Sequence, residues 1–246
     1  MNQCVALVTG GAQRIGSAIC RNLAQNGCIV FIHYHSSHKE AVNLQAELTK
    51  TGHIAHIIQA DLRQEDSIVS MIQRIEKQTG RLDYLVNNAA VFPRSPLSEV
   101  TGTLSQNTWQ VNCFAPQFII KQCAHLLQKG GTESPGAVVN IVDNCSADRP
   151  WSNYSSYAAS KAGLTAITRA LAVELAPTIR VNAVGPGAII FHSTETTAQQ
   201  KRILNKIPLQ RLGTTEEIAQ TVQFLLLGPK YITGQLIKVD GGWSIQ

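Results

Sequence analysis

The sequence predicts an α/β fold, a three-layer, doubly wound parallel sheet of the Rossmann type that forms a single domain over residues 1–246. Short apolar runs alternate with amphipathic segments along the whole chain, which is the pattern of a parallel sheet with helices on both faces. The first apolar run leads into a glycine-rich turn and then a helical segment. No linker, repeat or low-complexity segment divides the 246 residues.

The composition is that of a compact globular protein. The chain is 44% hydrophobic and 15% charged, unlike a disordered chain. No apolar run reaches the roughly 18 residues needed to cross a bilayer, and the start shows no secretory signal. We therefore expect a cytoplasmic protein with no membrane partner. The net charge of +5 is spread along the chain without a basic block, so nothing supports a nucleic-acid partner.

The six cysteines show no Cys-x-x-Cys spacing; they are Cys4, Cys20, Cys28, Cys113, Cys123 and Cys145. This scatter argues against both a disulfide framework and a zinc site. We expect reduced, mostly buried side chains and no bound metal.

The first predicted unit is a strand at residues 4–8, a turn at 9–16 and a helix at 17–25. Glycine at positions 10, 11 and 16 lets the backbone approach a pyrophosphate, and the N–H groups of the helix start act as donors. Arg14 stands where many such turns have glycine. The alternative is an ordinary glycine loop.

The second strand, at residues 28–32, ends in a polar run. In a dinucleotide fold this end faces the adenosine ribose, where an acidic residue would select NAD. No acid is present, and the residues His33, Ser36, Ser37, Lys39 and Arg14 suit a 2′-phosphate, which predicts NADPH. Two alternatives stay open: a metal site made of His33, His35 and His38, which lacks a completing ligand, and an ordinary polar loop.

The same alternation continues to the end of the chain. Further helices are predicted at 40–50, 67–78, 104–127 and 215–227, and further strands at 54–59, 82–86, 137–142, 179–183 and 235–239. Residues 163–176 are predicted to complete the helix that carries Tyr157 and Lys161. Asp61 follows the third strand, where its carboxylate is placed either to accept from an adenine amine or to cap a helix. Residues 188–205 are polar and rich in threonine, and we expect them to cover the substrate.

Tyr157 and Lys161 lie four residues apart, so they project from one face of a helix. An ammonium near a phenol favours the phenolate, so this pair predicts an acid–base device with a lowered tyrosine pKa. The spacing alone occurs by chance in many helices.

Two further positions bear on proton transfer. Pro116 lacks an N–H, so the carbonyl of Asn112 loses its helical partner and is free to hold a water; a simple helix kink is the alternative. Asp143 follows the strand at 137–142, and its carboxylate can keep Tyr157 protonated or itself hold a proton near the phenol. Reduction of a protonatable ring imine needs such a group, whereas reduction of a carbonyl does not.

Several motifs occur in a fixed order: Thr9-Gly10-x-x-x-Arg14-x-Gly16, Asn87-Asn88-Ala89, Asn112, Tyr157-x-x-x-Lys161, Pro186-Gly187 and Val239-Asp240-Gly241-Gly242. Their order and spacing resemble the short-chain dehydrogenase/reductase family over essentially the whole chain. Asn140-x-Val142-Asp143, Arg14, the run from His33 to Ser37 and Asn88-x-x-x-Phe92 resemble its pteridine reductase branch.

The resemblance implies that the protein is a homotetramer and uses NADPH to reduce a pterin. The pterin is either an oxidised pterin or a dihydropterin, and dihydrofolate is a further candidate. The resemblance also implies that Phe92 stacks on the pterin, although plain core is the alternative for this residue, and that the Asn112 carbonyl holds a water on the proton path. Ala90 departs from a serine found in some members, and the spacing from Asp143 to Tyr157 is one residue longer than in the closest pattern.

Residues and resemblance together give the following assignments. The catalytic residues are Asn112, Asp143, Tyr157 and Lys161, and the substrate contacts are Arg14, Phe92, Asp143 and Tyr157. The cofactor contacts are Gly10, Arg14, Ile15, Gly16, His33, Ser36, Ser37, Asp61, Leu62, Asn88, Ala89, Ala90, Tyr157, Lys161, Pro186 and Gly187. Two other functions stay open: an NADPH-dependent ketone reductase acting, for example, on a 3-oxoacyl thioester, for which serine is expected in place of Asp143, and a non-catalytic NADPH-binding regulator.

Overall fold

The computed structural model describes residues 3–130, 135–144, 151–191 and 196–245. The described residues form one parallel sheet of seven strands in the order β3-β2-β1-β4-β5-β6-β7. The strands are β1 (Val5–Val8), β2 (Ile29–Tyr34), β3 (Ala55–Gln59), β4 (Tyr84–Asn87), β5 (Gly136–Ile141), β6 (Ile179–Pro186) and β7 (Leu236–Val239). This confirms the predicted fold class.

Helices cover both faces of the sheet. They are α1 (Arg14–Gln25), α2 (His38–Lys50), α3 (Glu65–Thr79), α4 (Gly102–Trp109), α5 (Ala115–Leu127), α6 (Ser155–Glu174), α7 (Thr197–Leu204) and α8 (Thr215–Leu227). Apolar side chains of α1, α2 and α8 form one buried cluster with the sheet, and those of α3 and α5 form another. Within the described part of the chain, no helix is both long and apolar enough to span a bilayer. The homotetramer and the cytoplasmic location stay predictions.

The interior strand β1 shows why the chain forms three layers. Ala6 and Val8 pack into the cluster on one face, whereas Val5 and Leu7 pack into the cluster on the other. All four side chains are buried, as expected for a strand covered by helices on both sides. The strand order reverses between β1 and β4, so a crevice forms at the carboxyl ends of these strands.

Most element boundaries shift by one to three residues from the prediction, and one helix differs in kind. The predicted helix at 104–127 consists of α4 and α5 joined by a π-helical turn, Gln110–Phe114. In this turn the N–H of Ala115 donates to the carbonyl of Gln110, five residues back. Pro116 follows at the start of α5, where a missing N–H is tolerated.

The prediction that every cysteine is reduced is wrong for one pair. Cys4 and Cys28 form a disulfide, with Cα atoms 4.7 Å apart. Strands β1 and β2 pair in the register Val5↔Ile29, so the residues just before them lie side by side despite a sequence separation of 24. Cys20, Cys113 and Cys123 are buried thiols as predicted, and Cys145 lies outside the described residues.

Candidate active site

A cleft of about 690 Å³ opens at the carboxyl ends of β1, β4, β5 and β6. Nearly all of the predicted site residues line it: Gly10, Arg14, Ile15, Gly16, His33, Ser36, Ser37, Asp61, Leu62, Asn88, Ala89, Ala90, Phe92, Asp143, Tyr157, Lys161, Pro186 and Gly187. Two residues predicted for phosphate binding or catalysis do not line the cleft: Lys39, on α2, and Asn112, which is buried behind the wall. The fold thus brings residues spread over most of the chain into one site.

The glycine turn after β1 is held tightly against the end of β4. Gly10 has a φ of +61°, which favours glycine, and a Cβ at Gly16 would overlap the Gly10 carbonyl oxygen. The Asn88 amide donates to the carbonyl oxygens of Thr9 and Gly10, each at 3.0 Å, and the Thr9 hydroxyl accepts from the Asn88 N–H at 2.9 Å. These contacts fix a concave backbone surface suited to a pyrophosphate.

The structure corrects the role predicted for His33. Its side chain is 1% exposed, Nδ1 accepts from the Gly10 N–H at 3.0 Å, and Nε2 lies 3.1 Å from the carbonyl oxygen of Ala60. Both ring nitrogens are therefore occupied, which also excludes this ring from a metal site. Burial lowers the pKa of His33 to about 4, so the ring is neutral at pH 7 and supports the glycine turn instead of donating charge to a phosphate.

We expect His33 to make the folded protein sensitive to acid. In the unfolded chain His33 binds a proton near the ordinary pKa of 6.5, whereas in the folded protein it does so only near 4. The free energy of unfolding should therefore be highest above pH 6.5 and should fall as the pH is lowered from 6.5 to 4. The loss should be on the order of 3 kcal/mol. Urea unfolding at about pH 7 and about pH 4.5 measures it. His33→Gln, which keeps a polar side chain, should show a smaller pH dependence, and an equal dependence in both proteins would contradict the assignment.

The residues directly after β2, at one end of the cleft, are polar and include no acidic residue. His35, Ser36 and Ser37 follow this strand. Across from them, Asp61 is held by Arg63, whose Nε and Nη2 donate to the carboxylate at 2.7–3.1 Å. This pairing lowers the pKa of Asp61 to about 2. Helix α3 begins at Glu65 with Gln64 as its N-cap, so Asp61 is not the helix cap of the alternative interpretation.

Asp143 and Tyr157 meet at the other end of the cleft. The Tyr157 hydroxyl donates to Asp143 Oδ2 at 3.4 Å, so the longer spacing between them does not separate the two groups. Burial and the Asp143 carboxylate raise the pKa of Tyr157 well above its ordinary value. The phenol is therefore protonated, which agrees with the predicted effect of Asp143 and corrects the prediction that Lys161 lowers this pKa.

Lys161 is hydrogen-bonded through its ammonium to the main chain of β5. Its ammonium is buried and donates to the carbonyl of Ile141 at 2.7 Å. Burial lowers the pKa of Lys161 to about 8, although the nearby Asp143 carboxylate opposes this shift. The ammonium is thus directed at the end of β5, whereas burial first and the Asp143 carboxylate second raise the pKa of the phenol.

The Asn112 side chain is fully buried and fixes the loop after β4. Its Oδ1 accepts from the Val91 N–H at 2.8 Å, and its Nδ2 donates to the Val91 carbonyl at 2.9 Å and to the Ser160 hydroxyl at 3.1 Å. It therefore ties the cleft wall to α6, the helix that carries Tyr157 and Lys161. The predicted water on its main-chain carbonyl, which lies within the π-helical turn, stays a prediction.

Phe92 is not part of the core. Its ring is 43% exposed and lines the cleft, stacked on Tyr154 with centroids 4.4 Å apart and planes at 9°. The Tyr157 ring stands almost perpendicular to it at 4.5 Å. Phe92 thus presents an aromatic surface beside the acid–base pair.

A comparison with known families identifies this arrangement. Residues 10–244 match the family model described as enoyl-(acyl carrier protein) reductase, a model of short-chain dehydrogenases. The chain belongs to the short-chain dehydrogenase/reductase family. The match covers nearly the whole chain, so the protein is an oxidoreductase of this family.

Individual relatives of this short-chain reductase have different named activities. Pteridine reductase 1 of Leishmania tarentolae is 33% identical over 279 residues, covering 98% of this chain and 96% of the relative. The 3-oxoacyl-(acyl-carrier-protein) reductase FabG of Staphylococcus aureus is 35% identical over 248 residues, covering 96% of each. The solved structure of FolM alternative dihydrofolate reductase 1 from Brucella canis, complexed with NADP, has a TM-score of 0.90 at 32% identity and covers 99% of this chain and 94% of that chain.

The cleft of the short-chain reductase fits a nicotinamide dinucleotide. The turn at Gly10 and Gly16 leaves no room for a Cβ and exposes a backbone cradle for phosphates. Arg14 is exposed at the start of α1 and lines the same cleft. At its far end Pro186 and Gly187 line the wall, where a Cβ on Gly187 would meet Asp240 within 2.7 Å.

Several lining residues of the short-chain reductase were not among the predicted site residues: Ala12, Gln13, Tyr34, His35, Arg63, Val91, Val111, Ile141, Val142, Trp151, Ile189 and Ile190. Most lie one or two positions from a predicted residue. Their position near the end of a strand could therefore have predicted that they line the cleft. Ile189 and Ile190 belong to the segment predicted to cover the substrate, but residues 192–195 of it lie outside the described residues. Trp151 belongs to no motif.

Proposed function

We propose that the protein reduces a pterin ring with NADPH. The observation that carries the proposal is the hydrogen bond from the Tyr157 hydroxyl to Asp143 Oδ2 at 3.4 Å, in a cleft that Phe92 also lines. A protonated phenol next to a carboxylate suits delivery of a proton to a ring nitrogen, and an exposed phenyl face suits a flat heterocycle. The likeness to pteridine reductase 1 and to FolM supports the same substrate class.

NADPH is the cofactor. FolM, which is similar over 99% of this chain, is complexed with NADP. Ser36 and Ser37 follow β2 where an NAD-specific site has a carboxylate, and Arg14 supplies a guanidinium to the same cleft. The backbone around Gly10 would hold the pyrophosphate.

Each reacting group has a distinct task in this proposal. Bound NADPH supplies the hydride that reduces a ring carbon. Tyr157 donates its phenolic proton to the adjacent ring nitrogen, and Asp143 keeps the phenol protonated until that nitrogen replaces the carboxylate as acceptor. Lys161, fixed by the Ile141 carbonyl, would hold the nicotinamide ribose. Arg14 would neutralise phosphate and contact the substrate.

An acidic residue after β2 should weaken the preference for NADPH. In Ser36→Asp a carboxylate would repel the 2′-phosphate, so we expect KM for NADPH to rise by at least about tenfold while KM for NADH changes little. Ser36→Asn, which has the same size without the charge, is the matched control and should stay close to wild type. Initial rates with each coenzyme measure the effect, and an unchanged KM for NADPH in Ser36→Asp would remove this strand end from phosphate recognition.

A ketone reductase is the second candidate, because FabG of Staphylococcus aureus is 35% identical over 96% of the chain. Asp143 separates the two candidates, since a carboxylate that raises the phenol pKa suits a basic ring nitrogen better than a ketone oxygen.

The test follows NADPH absorbance with dihydrobiopterin, dihydrofolate and an acetoacetyl thioester, each also with NADH. We expect kcat/KM for a pterin with NADPH to exceed that for the thioester by at least about a hundredfold. A preference for the thioester would establish the ketone reductase instead. NADPH binding without turnover of any substrate would indicate a regulator.

A further inference from the structure

Two aromatic side chains form a right-angled corner at the substrate end of the cleft. Phe92 and Trp151 both line the cleft, with ring centroids 5.6 Å apart and planes at 89°. We call this pair the aromatic corner. Phe92 belongs to the site described above, whereas nothing in the proposed reaction uses Trp151.

Each side of the aromatic corner is supported by another ring that does not line the cleft. Tyr154 stacks on Phe92 at 4.4 Å and 9°, and Trp243 stacks on Trp151 at 6.1 Å and 24°. The main chain of Trp243 is held in place, because its backbone N–H donates to the carbonyl of Asp240 at 3.1 Å. The Asp240 carboxylate in turn accepts from the N–H groups of Gly242 and Ser244. The indole of Trp151 is therefore held in place from behind.

The ring distances show where Trp151 stands. Its centroid is 5.6 Å from that of Phe92 and 6.1 Å from that of Tyr154, and its plane is nearly perpendicular to both. A ring above the free face of Phe92 would be much farther from Tyr154 than from Phe92. Trp151 thus stands beside the stack, along one edge, and does not itself cover the free face of Phe92. A flat ring on that face would meet the indole at one of its edges.

We infer that Trp151 is a specificity-determining residue that bounds the substrate ring along one edge and favours pterins with a short substituent over pterins with an aryl tail, such as folates. The inference rests on the proposed function. Trp151 is 37% exposed and its indole is supported by Trp243, so moving it aside would cost the stacking between them. A short side chain fits beside the indole, whereas a tail with its own ring requires the indole to move.

The experiment compares kcat/KM with NADPH for dihydrobiopterin and for dihydrofolate. In Trp151→Ala the ratio of dihydrofolate to dihydrobiopterin should rise by at least about tenfold. Trp243→Ala should shift the ratio in the same direction by less, and the double variant should match Trp151→Ala alone, because Trp243 acts through Trp151. Tyr231→Ala, which removes a fully exposed aromatic ring that does not line the cleft, is the control and should leave the ratio unchanged.

The dissociation constant for NADPH and the thermal midpoint, measured for every variant, separate a change in specificity from a loss of fold. If Trp151→Ala binds NADPH poorly, Trp151→Phe takes its place and should show a smaller rise in the same ratio. An unchanged or lowered ratio in a variant that binds NADPH normally overturns the inference and leaves the proposed function intact. A wild-type protein that reduces neither pterin overturns both.

Discussion

Replacing Tyr157 by phenylalanine is expected to lower kcat for pterin reduction by about 10²–10⁴-fold, the usual contribution of a positioned general acid. The variant lacks only the hydroxyl that donates to Asp143 at 3.4 Å, and its ring can keep the edge-to-face contact with Phe92. Since the hydroxyl donates to Asp143 and makes no contact with the glycine turn in the bonds described above, NADPH binding should change little. Steady-state rates and a fluorescence titration with NADPH measure the two quantities.

Retention of more than about a tenth of wild-type kcat in Tyr157→Phe would mean that another group or water delivers the proton. Phe92→Leu serves as a comparison for packing, because it changes the ring contact without touching the hydroxyl. It should raise KM for the pterin more than it lowers kcat.

Replacing Asp143 by asparagine should lower kcat for the pterin by about a hundredfold while NADPH binding stays nearly intact. The carboxylate contributes to the raised pKa of Tyr157, so its removal lowers that pKa. The phenol then loses its proton at a lower pH, and the alkaline limb of the kcat/KM profile should move towards neutral pH. A pH–rate profile of both proteins measures the shift.

Asp143→Ala and Asp143→Ser accompany the isosteric change. The alanine variant should also lose pterin turnover, and the serine variant should lower the preference for a pterin over the acetoacetyl thioester. Full pterin activity in the asparagine and alanine variants would remove Asp143 from the mechanism.

The fold and the outline of the site could be predicted from the sequence because each depends on local patterns. The continuous apolar run of β1 predicts a strand that is buried on both faces, and the glycines at positions 10 and 16 predict a close approach of the backbone. Residues such as Asn88 and Gly187 follow strands whose carboxyl ends must meet in a parallel sheet. Chain order alone therefore brings them to one cleft.

The parts that could not be predicted depend on contacts between distant segments. The pairing of Cys4 with Cys28 follows from the register of β1 and β2, which the sequence does not display. The neutral state of His33 follows from burial, and its polar neighbours in the sequence suggested the opposite. The spacing of Tyr157 and Lys161 predicted a lowered phenol pKa, because it gave no sign that the lysine donates to Ile141.

A crystal structure of the complex with NADP and a dihydropterin tests the central claim most directly. The quantity to measure is the distance from the Tyr157 hydroxyl oxygen to the nearest ring nitrogen. We expect about 3 Å, with the ring stacked on Phe92 and the Asp143 carboxylate still next to the phenol. A ring bound away from Tyr157, or an Asp143 carboxylate turned into solvent, would contradict the account.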